Sequence, residues 1–199
     1  MKSRVEDLIR EIKRLEGELT DEVQRMQQIF SYQVRGGRVY FEEAVARYHR
    51  TLSQAVRTYI FEASLLNLLT APMIWACLAP VLFLDAMATL FQTVCFPIYR
   101  IPKVKRNEYF IIDRDALAYL NIIERLNCTY CGYVNGLIGY VQEIAGRTEQ
   151  YWCPIKHARR LAVMHKRYDR FFEYGDAADY SARFEEVRRD FSDLEDREK

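Results

Sequence analysis

The chain has 199 residues, with 29 basic and 28 acidic side chains and a formal net charge of +1. This length fits one compact domain, or a small domain with appendages. The balanced charge argues against a dedicated nucleic-acid-binding protein, which carries a large basic surplus. An apolar fraction of 50% and a charged fraction of 29% exclude a disordered chain and a many-pass membrane protein. The five cysteines are an odd number in a chain too long to need a disulfide framework.

Charge is distributed unevenly along the chain. Residues 60–99 contain no Lys or Arg and only two acids, Glu62 and Asp85. Residues 100–170 contain 13 basic and 7 acidic side chains, and residues 171–199 contain 5 and 10. An apolar middle is therefore followed by a basic third quarter and an acidic tail. The charged start, Met1–Lys13, predicts no signal peptide there.

Two helices are predicted in the part of the chain before the apolar middle. In the first, an apolar residue recurs every three or four positions, with Glu22 at the one missed position: Val5, Leu8, Ile12, Leu15, Leu19 and Met26. This heptad spacing predicts a coiled-coil-like helix over residues 1–35, which pairs with a protein partner or a second copy, or packs on its own domain. Gly36-Gly37 is expected to end it, and an amphipathic helix is predicted over residues 38–62.

Residues 63–99 form an apolar region interrupted only by Asp85. The uncharged run from Ala63 to Leu84 is long enough to cross a hydrocarbon core of about 30 Å. Basic residues flank both ends, as the positive-inside rule expects when both ends stay in the cytoplasm. We therefore predict a membrane hairpin with a bend near Pro72 or Pro80 and cytoplasmic N- and C-terminal regions. The alternative is a buried helical pair in a soluble protein, and in either case Asp85 needs a partner.

The rest of the chain is predicted to contain a helical Cys/His region over residues 100–175 and an acidic tail over residues 176–199. Helices are expected over 114–126 with Asp113 as N-cap, over 131–150, over 154–172 and from Ala178 onward. Three glycines on one flank of the second of these helices are spaced for close packing against another helix: Gly132, Gly136 and Gly139. No strand pattern is present, so the predicted fold class is all-α.

Four potential metal ligands lie within residues 126–160. They form a CxxC and, further along the chain, a CxxxH: Cys128, Cys131, Cys153 and His157. Each pair would share a helix face, and a turn over Gly146–Gln150 would bring two antiparallel helices around one ion. Three thiolates and an imidazole suit Zn²⁺ or an iron–sulfur cluster, and haem bound through the Cys153 thiolate before Pro154 is a less favoured alternative. Glu124 and Glu149 are candidates to hydrogen-bond these ligands.

Two other interpretations of the cysteines stay open, a redox dithiol at Cys128 and Cys131, and ordinary buried thiols. Beside them a basic stripe is a candidate contact for anionic lipid or another anion: Lys156, Arg159, Arg160, Lys166 and Arg167. The alternative interpretation of this stripe is a solvated helix face whose positive charge the acidic tail balances.

The function predicted from these features is that of a membrane-associated helical protein that binds a metal ion or an iron–sulfur cluster. It would act in electron transfer or as an accessory subunit of a larger complex. No Walker loop, GxGxxG, GxSxG, HExxH or ExxH pattern occurs, so we assign no catalytic residue and expect no stand-alone enzyme. The alternative is a non-catalytic structural or assembly protein that binds partners through its coiled coil and hairpin, with a structural zinc or no metal.

Overall fold

The computed structural model describes residues 2–195, apart from the side chains of residues 2–10, 13 and 195. It is mostly helical, which agrees with the all-α class. Its elements are α1 (Lys2–Ile29), β1 (Tyr32–Arg35), β2 (Arg38–Phe41), α2 (Glu43–Thr51), α3 (Val56–Glu62), α4 (Leu65–Ala76), α5 (Leu78–Tyr99), α6 (Ile122–Trp152), α7 (Ala177–Val187) and α8 (Ser192–Glu195). The chain divides into two compact units, Met1–Glu62 with Asp113–Thr129 and Ala63–Ile112 with Tyr130–Lys199.

In the first unit, the predicted long N-terminal helix is present as α1, and a β-hairpin follows it. Strands β1 and β2 pair antiparallel, with Tyr32 opposite Phe41. Gly36 and Gly37 form the two-residue loop, and both have positive φ, +56° and +75°. This tight hairpin loop needs φ above zero at both positions, which glycine allows. The expectation that no strands occur is therefore wrong, because the glycine pair turns the chain back as well as ending the helix.

The amphipathic helix predicted over residues 38–62 is divided into β2, α2 and α3. Residues 52–55 separate the two helices. His49 of α2 packs edge-on against the rings of Phe41 and Tyr119, with centroids 5.1 and 5.2 Å away. These aromatic contacts bring strand, helix and the 113–129 segment of the first unit together.

In the second unit, α4 and α5 follow each other without reversing direction. The single residue between them, Cys77, keeps right-handed helical backbone angles of φ −63° and ψ −16°. Pro72 lies inside α4 and Pro97 inside α5, and neither ends its helix. The predicted hairpin with a bend near Pro72 or Pro80 is therefore wrong. Together α4 and α5 form one stretch, Leu65–Tyr99, that is long and apolar enough to cross a membrane.

Helix α6 runs parallel to this stretch. Tyr130, near its start, donates a hydrogen bond to the Ile74 carbonyl, and Tyr151, near its end, stacks on Tyr99. The core between them includes residues of α5, α6, the connector after α5 and the C-terminal segment: Ala88, Phe96, Ile101, Val104, Leu137, Tyr140, Ile144 and Phe191. One face of the apolar stretch is thus fixed against folded protein.

The start of α6 is set by a capping box. Asn121 Oδ1 accepts hydrogen bonds from the backbone N–H groups of Ile123 and Glu124, and Glu124 Oε2 accepts one from the Asn121 N–H. The helix predicted over 114–126 is correct only at its end: residues 114–116 form a 3₁₀ turn, and residues 122–126 are the start of α6. Glu124 therefore caps a helix, and its proposed hydrogen bond to a metal ligand stays a prediction.

The glycines of α6 allow a close approach, although not to another helix. A Cβ at Gly136 would lie 2.7 Å from the Tyr109 carbonyl oxygen, whereas one at Gly132 would lie 3.5 Å from the Ile111 carbonyl oxygen. The packing partner is the extended connector after α5. A backbone can approach a helix this closely only where the side chain is absent.

Beyond α6 the chain is irregular where a helix was predicted over 154–172. Two backbone hydrogen bonds, from Phe172 to Pro154 and from Lys156 to Phe172, both 2.8 Å, hold this loop closed. The short helix expected from Ala178 is present as α7, with Asp176 as its N-cap. In the predicted acidic tail, Phe191 is buried in the core, and residues 196–199 lie outside the described part of the chain.

Candidate functional site

The structure does not bring the four predicted metal ligands together. Cys128 and Cys131 lie on α6, and Cys153 follows the last residue of this helix. The predicted turn over Gly146–Gln150 is wrong, because α6 continues through it. At about 1.5 Å per residue, Cys131 and Cys153 are about 33 Å apart, whereas ligand bonds to one zinc ion are about 2.0–2.3 Å. Among the described residues, no three or more His, Cys, Asp or Glu side chains are grouped to hold a metal ion.

Cys153 and His157 have separate environments. Burial, together with the Glu149 carboxylate, raises the pKa of the Cys153 thiol. The His157 backbone N–H donates to Tyr168 Oη at 2.7 Å, and the two rings stack. Glu149 Oε2 lies 3.0 Å from Nε2 of a different histidine, His165. Because the thiolate is the reactive form, this environment makes Cys153 a weak nucleophile at neutral pH.

Asp85 has the partner that its place in an apolar run requires. Arg106 donates two hydrogen bonds to its carboxylate, at 2.5 and 2.6 Å, and Tyr133 Oη donates a third at 2.6 Å. The Arg106 guanidinium also lies over the Phe110 ring, 4.1 Å from its centroid. Burial, and then the hydrogen bond to Asp85, raise the pKa of Tyr133, which keeps the phenol protonated as a donor. The network fixes the connector against α5.

The face of α4 and α5 that points away from folded protein is apolar and uncovered. Of the candidate spanning window within Leu65–Tyr99, only 6% is buried. Large apolar side chains recur along this face at steps that follow the helix turn: Leu66, Leu69, Met73, Phe83, Met87, Leu90, Val94 and Ile98. Contiguous exposed apolar surface of this kind marks a protein or membrane contact. This apolar face, defined by those eight residues, has no partner among the described residues.

The five residues of the predicted basic stripe do not share a helix face. Arg159 and Arg160 are exposed in the loop after α6, and Lys156 forms an ion pair with Glu173 at 2.5 Å. Arg167 is buried, with Nη1 2.6 Å from Gln150 Oε1 and Nη2 3.1 Å from Asp193 Oδ2. Asp193 of the acidic tail thus pairs with Arg167 of the basic segment, although these basic residues lie in a loop and not on the solvated helix face of the alternative interpretation.

Sequence reasoning missed a buried polar cluster on α6. Glu143 and Arg147 form an ion pair at 2.9 Å, and Gln150 donates to the carbonyl oxygens of Val187 and Asp190. A sequence pattern does point to this cluster. Arg147 continues the three-and-four spacing of Leu137, Tyr140 and Ile144, so it falls at a core position of the helix.

Comparison with known proteins gives no relative from which a function can be transferred. No protein-family model matches the chain, and neither the curated proteins nor the solved structures contain a significant match.

Proposed function

We propose that this chain is a membrane-attached helical protein with a structural or accessory role, held at the bilayer by the apolar face of α4 and α5. The observation that carries the proposal is the 35-residue apolar stretch, whose candidate spanning window is only 6% buried. Burying a Leu, Ile, Val, Phe or Met side chain that is otherwise in water stabilises by about 1.5–3 kcal/mol, so the eight residues of the apolar face strongly favour contact with hydrocarbon.

We propose further that the stretch lies along the membrane surface and does not cross it. The carboxylate and the amide of α5 are on the side of folded protein, where Asp85 accepts hydrogen bonds from Arg106 and Gln92 contacts the Val104 N–H and Tyr140. A crossing helix would draw these groups and the lysines beside Arg106 into hydrocarbon, which is costly. An in-plane helix buries only its apolar side by about 5–10 Å. It also keeps the basic flanks at both ends in the cytoplasm without a reversal of the chain.

A structural or accessory role fits the chain better than electron transfer does. Two of the predicted ligands of a zinc ion or cluster, Cys131 and Cys153, are about 33 Å apart. The raised pKa of Cys153 makes its thiol less reactive. The apolar face of α4 and α5, by contrast, has no partner among the described residues. An exposed apolar surface of this kind binds a membrane or another protein and needs no reactive side chain.

Helix α1 offers a second surface, for a protein partner or a second copy. Of its heptad positions, Val5 and Leu8 lie outside the described side chains. The others are exposed, as are two apolar residues that continue the row: Ile12, Leu15, Leu19, Val23, Met26 and Ile29. A long helix with an exposed apolar row gains stability by pairing with another helix. This surface favours the interpretation as an assembly protein.

The membrane proposal is tested by fractionation of the full chain after expression without detergent. Wild-type protein should sediment with membranes and resist carbonate extraction. Leu69→Glu with Met73→Glu places two charges on the apolar face and should release most of the protein into the soluble fraction. The control, Leu15→Glu with Leu19→Glu, places the same charges on α1 and should stay with the membrane.

The same variants separate the two surfaces. Crosslinking should show weakened assembly for the α1 variant and unchanged assembly for Thr20→Glu with Gln24→Glu, which lie on other sides of α1. Recovery of the wild-type chain as a monodisperse soluble protein would refute the membrane proposal. Unaltered assembly of the α1 variant would refute the role of that helix.

A further inference from the structure

A cavity of about 250 Å³ lies in the second unit, between the connector after α5, helix α6 and the C-terminal segment. Six basic side chains line it: Lys103, Lys105, Arg147, Lys166, Arg167 and Arg170. Three acidic side chains line it as well: Glu108, Glu143 and Asp193. The lining therefore has an excess of positive charge, in a chain whose total charge is close to zero.

Two buried guanidinium groups belong to this lining. Arg147 donates to Glu143 at 2.9 Å and to the Pro102 carbonyl at 2.7 Å. Arg167 is only 2% exposed, and its Nε has no hydrogen-bond acceptor, since the nearest carboxylate oxygen, Glu143 Oε1, is 3.6 Å away. Burial lowers the pKa of Arg167, and the carboxylates of Asp193 and Glu143 counter this only in part. A buried donor without an acceptor is costly, and a bound anion would relieve that cost.

Two lysines of the lining are exposed to solvent, unlike the two buried arginines. Lys103 and Lys166 are exposed and belong to two different segments that line the cavity, the connector and the loop after α6. Arg170 is held toward the same region by Asp190 and Asp193, at 3.2 and 3.4 Å. The buried arginines can donate directional hydrogen bonds, and the exposed lysines supply mobile point charges. These are the two ways in which proteins bind phosphate.

We propose that this cavity binds a phosphate monoester group, either from a free phosphate compound or from the headgroup of an anionic lipid. The volume is below the range of about 300–1,000 Å³ of cofactor and drug-like sites, so it suits a small anion with a short substituent. A dianion matches the cationic excess better than a carboxylate or a zwitterionic headgroup does. This proposal does not depend on membrane attachment, since the cavity is formed by the second unit alone.

The test uses the full chain purified in a non-ionic detergent. Calorimetry measures binding of phenyl phosphate and, separately, of dihexanoyl phosphatidic acid, with dihexanoyl phosphatidylcholine as the zwitterionic control. Lys103→Gln with Lys166→Gln should weaken binding by about tenfold. The matched control, Arg159→Gln with Arg160→Gln, removes the same charge from exposed positions outside the lining and should change the affinity less than twofold. Both pairs are on the surface, and thermal unfolding without ligand confirms that each variant is folded.

The two ligand arms identify the source of the phosphate group. Phenyl phosphate binding that the lining variant weakens points to a free phosphate compound, and phosphatidic acid binding alone points to a lipid headgroup. Equal loss in the two variants would show a diffuse charge effect and overturn the site. Absence of binding in both arms, or equal binding of phosphatidylcholine, would overturn it as well.

Discussion

The carboxylate of Asp85 and the guanidinium of Arg106 form a two-point ion pair, with N–O distances of 2.5 and 2.6 Å, between positions far apart in the sequence. Asp85 is the one charged residue in the apolar stretch, and its side chain is 13% exposed. We expect Arg106→Gln to lower the free energy of unfolding by about 1–3 kcal/mol, because the Asp85 carboxylate loses its counter-charge. The loss is not larger because Arg106 is partly exposed, and solvent screens the ion pair. Denaturant unfolding in detergent measures the change.

A double-mutant cycle separates the pair from general effects. Asp85→Asn with Arg106→Gln should cost less than Arg106→Gln alone, since no charge is left without a partner. Tyr133→Phe removes one hydrogen bond and should cost about 1 kcal/mol. Additive single effects would contradict the pairing.

Gly136 and Gly132 form a matched pair on α6. Replacing Gly136 by Ala should destabilise the fold by about 1–3 kcal/mol, because the new methyl group would lie 2.7 Å from the Tyr109 carbonyl oxygen and backbone must move. Gly132→Ala meets only ordinary contact at 3.5 Å and should stabilise by up to about 1 kcal/mol through its helix propensity. Thermal unfolding of both variants checks the order, and equal effects would refute the close approach.

The raised pKa of Cys153 predicts slow alkylation. At any pH below this pKa the thiolate fraction is smaller than in a free thiol, so the rate with iodoacetamide should rise at higher pH than it does for N-acetylcysteine. Glu149→Gln removes a nearby negative charge and should move the profile toward lower pH. The measurement needs the other four cysteines changed to Ser. A profile at or below that of the free thiol would contradict the environment described.

The distance between Cys131 and Cys153 tests whether α6 is continuous. Spin labels on Cys131 and Cys153, with Cys77, Cys95 and Cys128 changed to Ser, should give an electron–electron distance of about 33 Å, the rise of an unbroken helix between these positions. A turn over residues 146–150 would shorten the distance to about 20 Å, because the two labels would lie on antiparallel helices about 8–10 Å apart, with Cys131 much further from the turn than Cys153. That shorter distance would contradict the continuous helix.

The sequence predicts those helices whose positions follow from nearby residues. The periodic segment at the start of the chain, the uncharged run of residues 63–84 and the segment from Ala178 are all helical in the structure, in α1, in α4 and α5, and in α7. The need for a partner at Asp85 is also evident from the sequence, because an isolated charge in apolar surroundings is costly. Arg106 could not be identified as that partner, since the path of the connector after α5 determines which cation reaches the carboxylate.

The predictions fail where one residue pattern permits two chain paths. Pro72 and Pro80 are compatible with a reversal of the chain, yet a proline can also lie within a helix that continues past it, as Pro72 does in α4. Gly36-Gly37 can end a helix, and two residues with positive φ also make a hairpin loop. The CxxC and CxxxH spacing allows a shared site only if α6 turns back, and no local signal decides that.

The attachment of α4 and α5 along the membrane surface is tested most directly by the immersion depth of three residues on the apolar face. Leu66, Phe83 and Ile98 have nearly equal exposure, 70%, 69% and 70%, and span about 48 Å of helix. Spin labels at each, in a cysteine-free chain reconstituted into mixed vesicles of phosphatidylcholine and phosphatidic acid, report depth through relaxation by oxygen and by a water-soluble nickel complex. The account predicts one shared shallow depth of about 5–10 Å at all three sites. A depth that passes from one interface through the bilayer centre along the series would show a crossing helix, and labels that are all open to the nickel complex would show no insertion; either result would contradict the account.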